Sequence, residues 1–567
     1  MTRRVLKTAR TTGIAAAAAL VLGIAAAPAA ADWPMYGHDL DNTRNAGRDG
    51  PSLQAAAQLK EAWRFPTQTE TDFTGTPVIA DGLVVAGDFG GTVYALDAVT
   101  GKLRWKKDLE QPINASAAID MNAEGGPTVY VPLQDVDSPR VAALYLKDGK
   151  LRWNTVLTNQ PTSSMYGSPV VWKGNVYVGT SGPNGDGSTA RGTVVSLNGE
   201  SGAVRWRTFT VPEGHDGGPV WSTPAIDTET GRLYVGTGNA YHDPAADTTD
   251  AILALDTDTG QILKKFQATP GDVFPENPIG EDVDFGASPN LMRSPTGQAL
   301  VGDGAKDGNY YALDRETFNL VWQANVGPGS AAGGFIGSLP YDGTRVYGVN
   351  ALTSEVAAIN PDGSIKWSNS EGGSPVFGTM SMGNGLVYTL DSSGDLTARE
   401  ALTGTVVGTV DVGKGTWGGI SLKGGAVYVT VGMGPLPPPA PQSTQEGAIV
   451  AFGDTSRSGV GGGSGSGSGG SGGGSGGSGS NSKRRHIRLR VKPRRAVAGR
   501  RTVYRFRTFV GDKPLAGALI RFAGRHRRTD RKGRARMAVR LHRGPRRARA
   551  IKRGFKKGSV KVRVRRR

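Results

Sequence analysis

Ala95-Leu96-Asp97-Ala98-Val99-Thr100-Gly101-Lys102-Leu103-Arg104-Trp105 carries the phrase Ala-x-Asp-x-x-Thr-Gly-x-x-x-Trp, and the chain repeats it. Copies run from Ala143 to Trp153, Ser196 to Trp206, Ala312 to Trp322 and Ala358 to Trp367. Degenerate copies end at Lys264, after Ala254, Asp256, Thr259 and Gly260, and at Gly408, after Thr403 and Gly404. Successive Trp-equivalent positions lie about 40 to about 58 residues apart, the period of four-stranded propeller blades.

The phrase has a mechanical meaning. Asp and Thr-Gly suit a tight turn, because Gly tolerates positive φ and Asp bonds nearby backbone amides. Gly91 to Leu96 alternates like a half-buried strand, and the residues after the turn begin an outer strand whose Trp can lodge between neighbouring blades. Upstream, Thr76 to Ala80 and Leu83 to Gly87 flank Asp81-Gly82, a hairpin signal. Seven such units fill Phe73 to Gly408, and an eighth set of strands from Trp417 to Phe452 lacks a Trp strand of its own. Leu59 to Phe65, with Trp63, is the missing strand. The expected fold is therefore all-β: an eight-bladed propeller closed by the N-terminal strand, with no free sheet edge. Seven blades is the second choice, since the unit ending at Gly408 is weak.

The two ends differ from this body. Arg3, Arg4, Lys7 and Arg10 precede an apolar run from Ile14 to Ala27, and Ala29-x-Ala31 offers a cleavage site. Residues 1–31 thus read as a signal peptide of a secreted, periplasmic or cell-envelope protein, and no other segment is apolar enough to span a bilayer. The chain has no cysteine, which excludes disulfides, thiolate chemistry and covalently attached haem. The propeller is assigned to 32–458 and a Gly/Ser linker to 459–482, the latter spanning about 25 Å if freely flexible. Residues 483–567 carry 35 Lys and Arg against Asp512 and Asp530 alone. Between Asp32 and Ser482 acids exceed bases by 47 to 28.

The basic segment alternates from Thr502 to Phe509, reads as strand over Leu519 to Phe522, Ala535 to Leu541 and Val560 to Val564, and has a turn at Asp530-x-x-Gly533. Lys513 to Ala518 with Thr529 to Ala535 resembles an immunoglobulin-like or carboxypeptidase-regulatory-like β-sandwich. Its charge points to polyanionic partners; for an exported chain these are cell-wall or other extracellular polyanions. No base-reading motif is present, so specific nucleic-acid recognition is not expected.

The opening Asp32-Trp33-Pro34-Met35-Tyr36-Gly37-His38-Asp39, together with the Trp phrase, resembles the pyrroloquinoline quinone (PQQ) repeat propellers, which include the quinoprotein alcohol dehydrogenases. The likeness is sharpest from Gly217 to Trp322, which is similar to polyvinyl-alcohol dehydrogenase and its relatives. It rests on Gly218-x-x-Trp221-Ser222-Thr223-Pro224, Gly236-Thr237-Gly238-Asn239, Asp284-Phe285-Gly286-Ala287-Ser288-Pro289 and Lys306-Asp307-Gly308.

The resemblance implies roles for these residues. Trp221 would be the floor on which the planar quinone stacks, and Lys306 would hydrogen-bond its oxygens. Asp284 would be the general base and would touch a calcium ion, with Asn239 as a further oxygen ligand. The family's calcium-binding Glu is absent after the strand Asn175 to Gly179, where Ser181-Gly182-Pro183-Asn184-Gly185-Asp186 leaves Asn184 or Asp186 as substitutes. The adjacent cysteine pair that caps the quinone is also missing, and Thr74-Gly75 and Tyr166 replace the usual Glu-Gly and Thr. Trp221 and Trp417 stand outside the Trp phrase, which makes them the better candidates for an axial surface.

Two functions follow. One is a PQQ- and calcium-dependent oxidoreductase acting on an alcohol or polyol and passing electrons to an external acceptor. The other is a non-catalytic propeller scaffold of the cell envelope, held to polyanions by its basic domain.

Overall fold

The structure is a computed structural model. It describes residues 32–182, 188–274, 282–370, 373–432 and 446–459, and, further on, 487–493, 495–497, 501–510, 513–516, 518–522, 525–540, 544–551 and 558–565. Residues 1–31, read above as a signal peptide, nearly all of the Gly/Ser linker, Asn184 and Asp186 lie outside the described residues. The chain divides into two compact units, Met1–Ser464 and Gly465–Arg567.

The first unit is a β-propeller built from antiparallel sheets that follow one another along the chain. Among the described residues there are eight, numbered here I to VIII. Sheet I comprises Val78–Ala80, Leu83–Gly87, Thr92–Asp97 and Leu103–Asp108, in that spatial order. Sheets II, III, IV and V repeat the arrangement over 118–156, 170–209, 225–267 and 290–325, and sheet VII over 381–411. Sheet VI has three strands, Val346–Val349, Glu355–Ile359 and Ile365–Ser370. Its expected inner strand is reduced to a bridge between Tyr341 and Val346, because the adjoining Pro340 has no N–H to contribute to a ladder. Sheet VIII joins Ser421–Lys423, Ala426–Val431 and Glu446–Gly453 to Glu61–Glu70. Trp63 lies opposite Ala451, and Phe65 opposite Ile449.

The Trp phrase works at the seams. Trp105 of sheet I donates its indole N–H to Leu146 O beside sheet II at 2.7 Å. Trp153 reaches Gly199 O, Trp206 Thr257 O and Trp367 Ala401 O, at 3.0–3.1 Å. Each ring rests on the turn glycine of the next sheet. A Cβ on Gly149, Gly202, Gly260 or Gly404 would come within 2.5–2.6 Å of the Trp ring lying over it. Where the phrase degenerates, the seam changes on both sides. Lys264 stands in place of Trp, and the facing turn of sheet V carries Phe318 in place of Gly, with φ 64° and its ring on Tyr234. Gly408 faces the short helix Leu53–Ala56, and a Cβ on Gly408 would lie 2.7 Å from the Ala56 carbonyl.

A second set of bonds links the inner strands. The N–H of Thr76 donates to the Ser116 hydroxyl, Ser116 N–H to Ser168, Ser168 N–H to Thr223 and Thr223 N–H to Ser288, at 2.8–3.3 Å. The Tyr36 hydroxyl bridges Ser338 and Thr379 at 2.7 and 2.9 Å. Gly419 takes the eighth place, where a side chain would collide with the Thr76 hydroxyl.

The N-terminal segment ties these strands together. Trp33 exchanges two backbone bonds with Ile79 of sheet I, and Pro34 O accepts from Ile119 of sheet II. Met35 packs in one cluster with Val170 of sheet III. The carbonyls of Leu40, Asp41, Thr43, Arg44 and Asp49 then accept from Ile226, Leu291, Tyr341, Met382 and Gly425, in sheets IV, V, VI, VII and VIII or beside them. Residues 33–49 therefore meet the sheets in their chain order. Arg44 is fully buried and donates to the carbonyls of Tyr36, Met380 and Ile420 and to the Ser381 hydroxyl. Asn42 donates to the carbonyls of Thr223, Pro224 and Pro289 at 3.0–3.3 Å.

The second unit is also all-β. One sheet contains Ile487–Lys492, Arg501–Val510, Lys513–Pro514 and Arg534–Arg540; the other contains Arg495–Val497, Leu519–Phe522, Arg525–Arg528, Gly544–Ile551 and Gly558–Arg565. Ile487, Leu489, Val491, Tyr504 and Phe506 of the first sheet share a buried cluster with Ile520, Phe522 and Val562 of the second. The Asp530 carboxylate accepts the N–H groups of Lys532 and Arg534 at 2.9 and 2.8 Å, making the turn read from Asp530-x-x-Gly533.

Candidate functional site

Sheets IV and V bring the resemblance's residues together on the segments that enter and leave their two inner strands. Trp221 precedes Ala225–Asp227, and Asn239 follows Arg232–Gly236. Asp284 precedes Asn290–Arg293, and Lys306 follows Ala299–Gly304. Two backbone bonds fix their relative positions: Lys306 N–H to Asp284 O at 2.8 Å, and Gly218 N–H to Asn239 O at 2.8 Å. Gly238 allows the approach, since a Cβ there would lie 2.5 Å from Asp284 Oδ2.

Lys306 is the hub. Its Nζ lies 2.8 Å from Asp284 Oδ1, 2.7 Å from Asp282 Oδ1 and 4.7 Å from the centre of the Trp221 ring. Lys306 and Asp284 are 7% and 2% exposed, so this pair is shielded from bulk water, while Trp221 is half-buried. The Asn239 amide donates to Asp272 Oδ2 at 3.0 Å and Asp282 Oδ1 at 3.3 Å. Asp272 also accepts the Val283 N–H at 3.2 Å.

The charges are arranged unevenly. Burial pushes the Asp284 carboxyl up to about 7, against the pull of Lys306 and with help from Asp282 and Asp272. Burial disfavours the Lys306 ammonium, yet Asp284 and Asp282 together hold it above its ordinary value. Both directions are consistent, because one ammonium faces several carboxyl groups and cannot stabilise all of them as anions. Asp250 adds to the crowding: its backbone N–H bonds Gly238 O at 3.0 Å, and both of its carboxyl oxygens are buried without a hydrogen-bond partner among the described residues. Burial, then Asp284 and Asp272, push Asp250 well above the carboxylate range.

Of the residues read from sequence, Trp221, Asn239, Asp284 and Lys306 thus converge, whereas Asn184 lies outside the described residues. Trp417 stands four residues ahead of Ser421–Lys423, as Trp221 stands four ahead of Ala225–Asp227, and it stacks on Phe377 at 4.6 Å. Asp282, Asp272 and Asp250 were missed. Asp282 was visible as an acid two residues from Asp284; Asp250 ends the acidic stretch Asp243 to Asp250, a candidate calcium loop that reads better as a surface turn, and Asp272 carried no sequence signal, because sheet geometry alone brings it near.

The donor set fits the two implied cofactors differently. A flat half-exposed indole beside a buried ammonium suits a planar, electron-poor carbonyl compound such as PQQ. It suits calcium poorly. Asn239 turns its amide nitrogen to the carboxylates, the Lys306 ammonium already sits between Asp282 and Asp284, and no group of three or more His, Cys, Asp or Glu among the described residues is placed to hold a metal ion.

Residues 53–267 and 248–429 match the family described as outer membrane protein assembly factor BamB. The chain belongs to this BamB-like repeat family. The chain is also 27% identical over 478 residues to the polyvinylalcohol dehydrogenase of Sphingopyxis sp. (strain 113P3), covering 71% of this chain and 73% of that protein. It is 30% identical to a Pseudomonas sp. polyvinylalcohol dehydrogenase, over 56% of this chain and 54% of that one. A 26% match to the quinohemoprotein alcohol dehydrogenase of Comamonas testosteroni covers 54% and 48%. The chain therefore spans about half the length of most of these curated relatives. The solved structure of the Comamonas testosteroni enzyme superposes with a TM-score of 0.62 at 21% identity, over 75% of this chain and 81% of that one. A europium-containing methanol dehydrogenase gives 0.62 at 17% identity, over 75% and 98%. These two likenesses establish the propeller fold.

Proposed function

We propose that the first unit is an exported, PQQ-dependent dehydrogenase that oxidises an alcohol or polyol and passes electrons to an external acceptor. The observation that carries this reading is the buried Lys306–Asp284 pair set against the Trp221 ring. The polyvinylalcohol and quinohemoprotein dehydrogenases among the relatives support it. Export rests on the charged and apolar pattern of residues 1–31, and no helix among the described residues is long and apolar enough to cross a membrane.

Bound PQQ would supply the two-electron acceptor that takes hydride from the carbinol carbon. The chain's residues do the rest. Asp284, raised to about 7 by burial, is a base of suitable strength near neutrality and takes the hydroxyl proton on its carboxylate. Lys306, charged and 4.7 Å from the centre of the Trp221 ring, would hydrogen-bond a carbonyl oxygen of the bound quinone. Asp282 holds the ammonium from the other side at 2.7 Å, and burial keeps bulk water from the proton transfer. No step is assigned to calcium, which the described donors do not fit.

This reading includes an eight-bladed ring closed by the N-terminal strand. Supporting it are the pairing of Glu61–Glu70 with Glu446–Gly453 and the contact of Trp63 with the turn of sheet I. The order in which residues 33–49 visit the sheets agrees. The second unit is read as an immunoglobulin-like sandwich from its turn chemistry and two-sheet core.

A non-catalytic scaffold is the second reading, favoured by the engagement of the Lys306 ammonium by two carboxylates of its own chain. Purified protein incubated with PQQ decides between them: alcohol-dependent reduction of an artificial dye that is lost in Asp284→Asn supports the dehydrogenase. Absence of turnover with short alcohols, diols and polyvinyl alcohol, from protein that binds PQQ, would leave the scaffold.

A further inference from the structure

The second unit places its cations in a regular array. Along Ile487–Lys492 the burial alternates, with Ile487, Leu489 and Val491 inward and Arg488, Arg490 and Lys492 exposed. Arg501–Val510 continues the pattern, with Tyr504 and Phe506 buried and Arg505 and Arg507 exposed, as does Arg534–Arg540, where Arg534 and Arg536 are exposed beside buried Ala535 and Met537. Register then aligns the charges across three strands. Arg490 lies opposite Arg507, which lies opposite Arg534; Lys492 lies opposite Arg505, which lies opposite Arg536.

Six cations thus form two rows of three on one sheet face. Rows are about 7 Å apart and neighbours within a row about 5 Å apart, from strand geometry. Like charges directly opposite one another oppose folding, and no acidic side chain pairs with these six among the described residues. Of the unit's two acids, Asp530 is engaged in its own turn and Asp512 lies outside the described residues. Beside the rows the half-buried Phe509 ring is bracketed by the guanidinium groups of Arg488 and Arg490, each 5.6 Å from its centre.

We propose that this face binds the backbone of a linear phosphodiester polymer, without reading its sequence. An arrangement that self-repels when bare becomes favourable when closely spaced anions run along it and displace counterions. Five of the six cations are Arg, whose planar fork takes two phosphate oxygens at once. Apart from Phe509 and Val503, this face lacks, among the described residues, the apolar centre that a folded protein partner requires. The inference concerns the second unit alone and stands whether or not the propeller is a dehydrogenase.

The test uses the full chain and a fluorescein-labelled oligothymidylate as the phosphodiester probe, with anisotropy read over a salt series. Binding should weaken with salt with a log–log slope of about −4, the value for roughly six neutralised phosphates on a single strand. The triple change Arg505→Ser, Arg507→Ser and Arg536→Ser should weaken binding at least tenfold and reduce the slope by about 2. As a control of equal charge, Arg546→Ser, Arg547→Ser and Arg549→Ser on the other sheet should weaken it less than threefold. Polygalacturonate of matched charge should compete at least tenfold less well than unlabelled oligothymidylate. Equal loss from both triple variants, binding insensitive to salt, or equal competition by polygalacturonate would each overturn the proposal. Circular dichroism on both variants confirms that the unit remains folded.

Discussion

Trp63 rests on Gly101: a Cβ on Gly101 would lie 2.6 Å from the indole, whose N–H donates to Ala98 O at 3.2 Å. The two residues belong to sheets VIII and I, and the contact repeats that of Trp105 with Gly149 between sheets I and II.

Trp63→Ala should therefore cost about 3 kcal/mol, at the low end for truncating a large aromatic because Trp63 is only half-buried. Trp105→Ala, at a more deeply buried site, should cost about 4 kcal/mol. Urea midpoints measure both. Equal wild-type stability in Trp63→Ala would mean that the N-terminal strand does not hold the propeller together.

Arg44 makes a related prediction for the belt. Burial lowers it to about 10, and its interaction with Tyr36 opposes that. Arg44→Met removes every donor it supplies and leaves the carbonyls of Met380 and Ile420 buried without it. A loss of about 3–5 kcal/mol is expected, read as a lower urea midpoint with an unchanged slope.

Asp303 gives a pH-dependent prediction. It is wholly buried, accepts only the Gly304 N–H and has Oδ2 without a partner among the described residues; burial raises its carboxyl well above the ordinary value. The folded state therefore keeps a proton that the unfolded state releases near 3.8. Its contribution is fully present below that value and is lost as pH rises toward the folded value. Asp303→Asn should match wild type at pH 4 and be the more stable protein at pH 8. Denaturant midpoints across that range test this, and parallel curves for the two proteins would refute it.

On the proposed dehydrogenase reading, Asp284 sets the pH dependence of turnover. As the base it acts unprotonated, so kcat/KM should rise through about 7. Lys306→Met removes the charge that pulls this carboxyl down, moving the rising limb to higher pH. Asp284→Asn should lower kcat at least 100-fold. A limb that stays in place in Lys306→Met would separate the two residues functionally.

The propeller was legible because turn chemistry and Trp recur in sequence. Trp63 could be assigned to the last sheet because its strand lacked inner partners. The seams at Lys264 and Gly408 could not be read from one side: Phe318 and the helix Leu53–Ala56 fill those places, and such compensation is tertiary. The belt of residues 33–49 was illegible for a different reason. It bonds through backbone carbonyls, which carry no side-chain signature. At the site, Asp284 and Lys306 were found through short motifs, whereas Asp272 and Asp250 reach it by folding alone.

The most direct test is titration of the purified chain with PQQ, followed by Trp fluorescence and quinone absorbance. The account predicts saturable binding of one PQQ per chain, weakened at least tenfold in both Trp221→Ala and Lys306→Met while the circular dichroism stays unchanged. Failure of the folded parent to bind, or equal affinity in the parent and both variants, would contradict it.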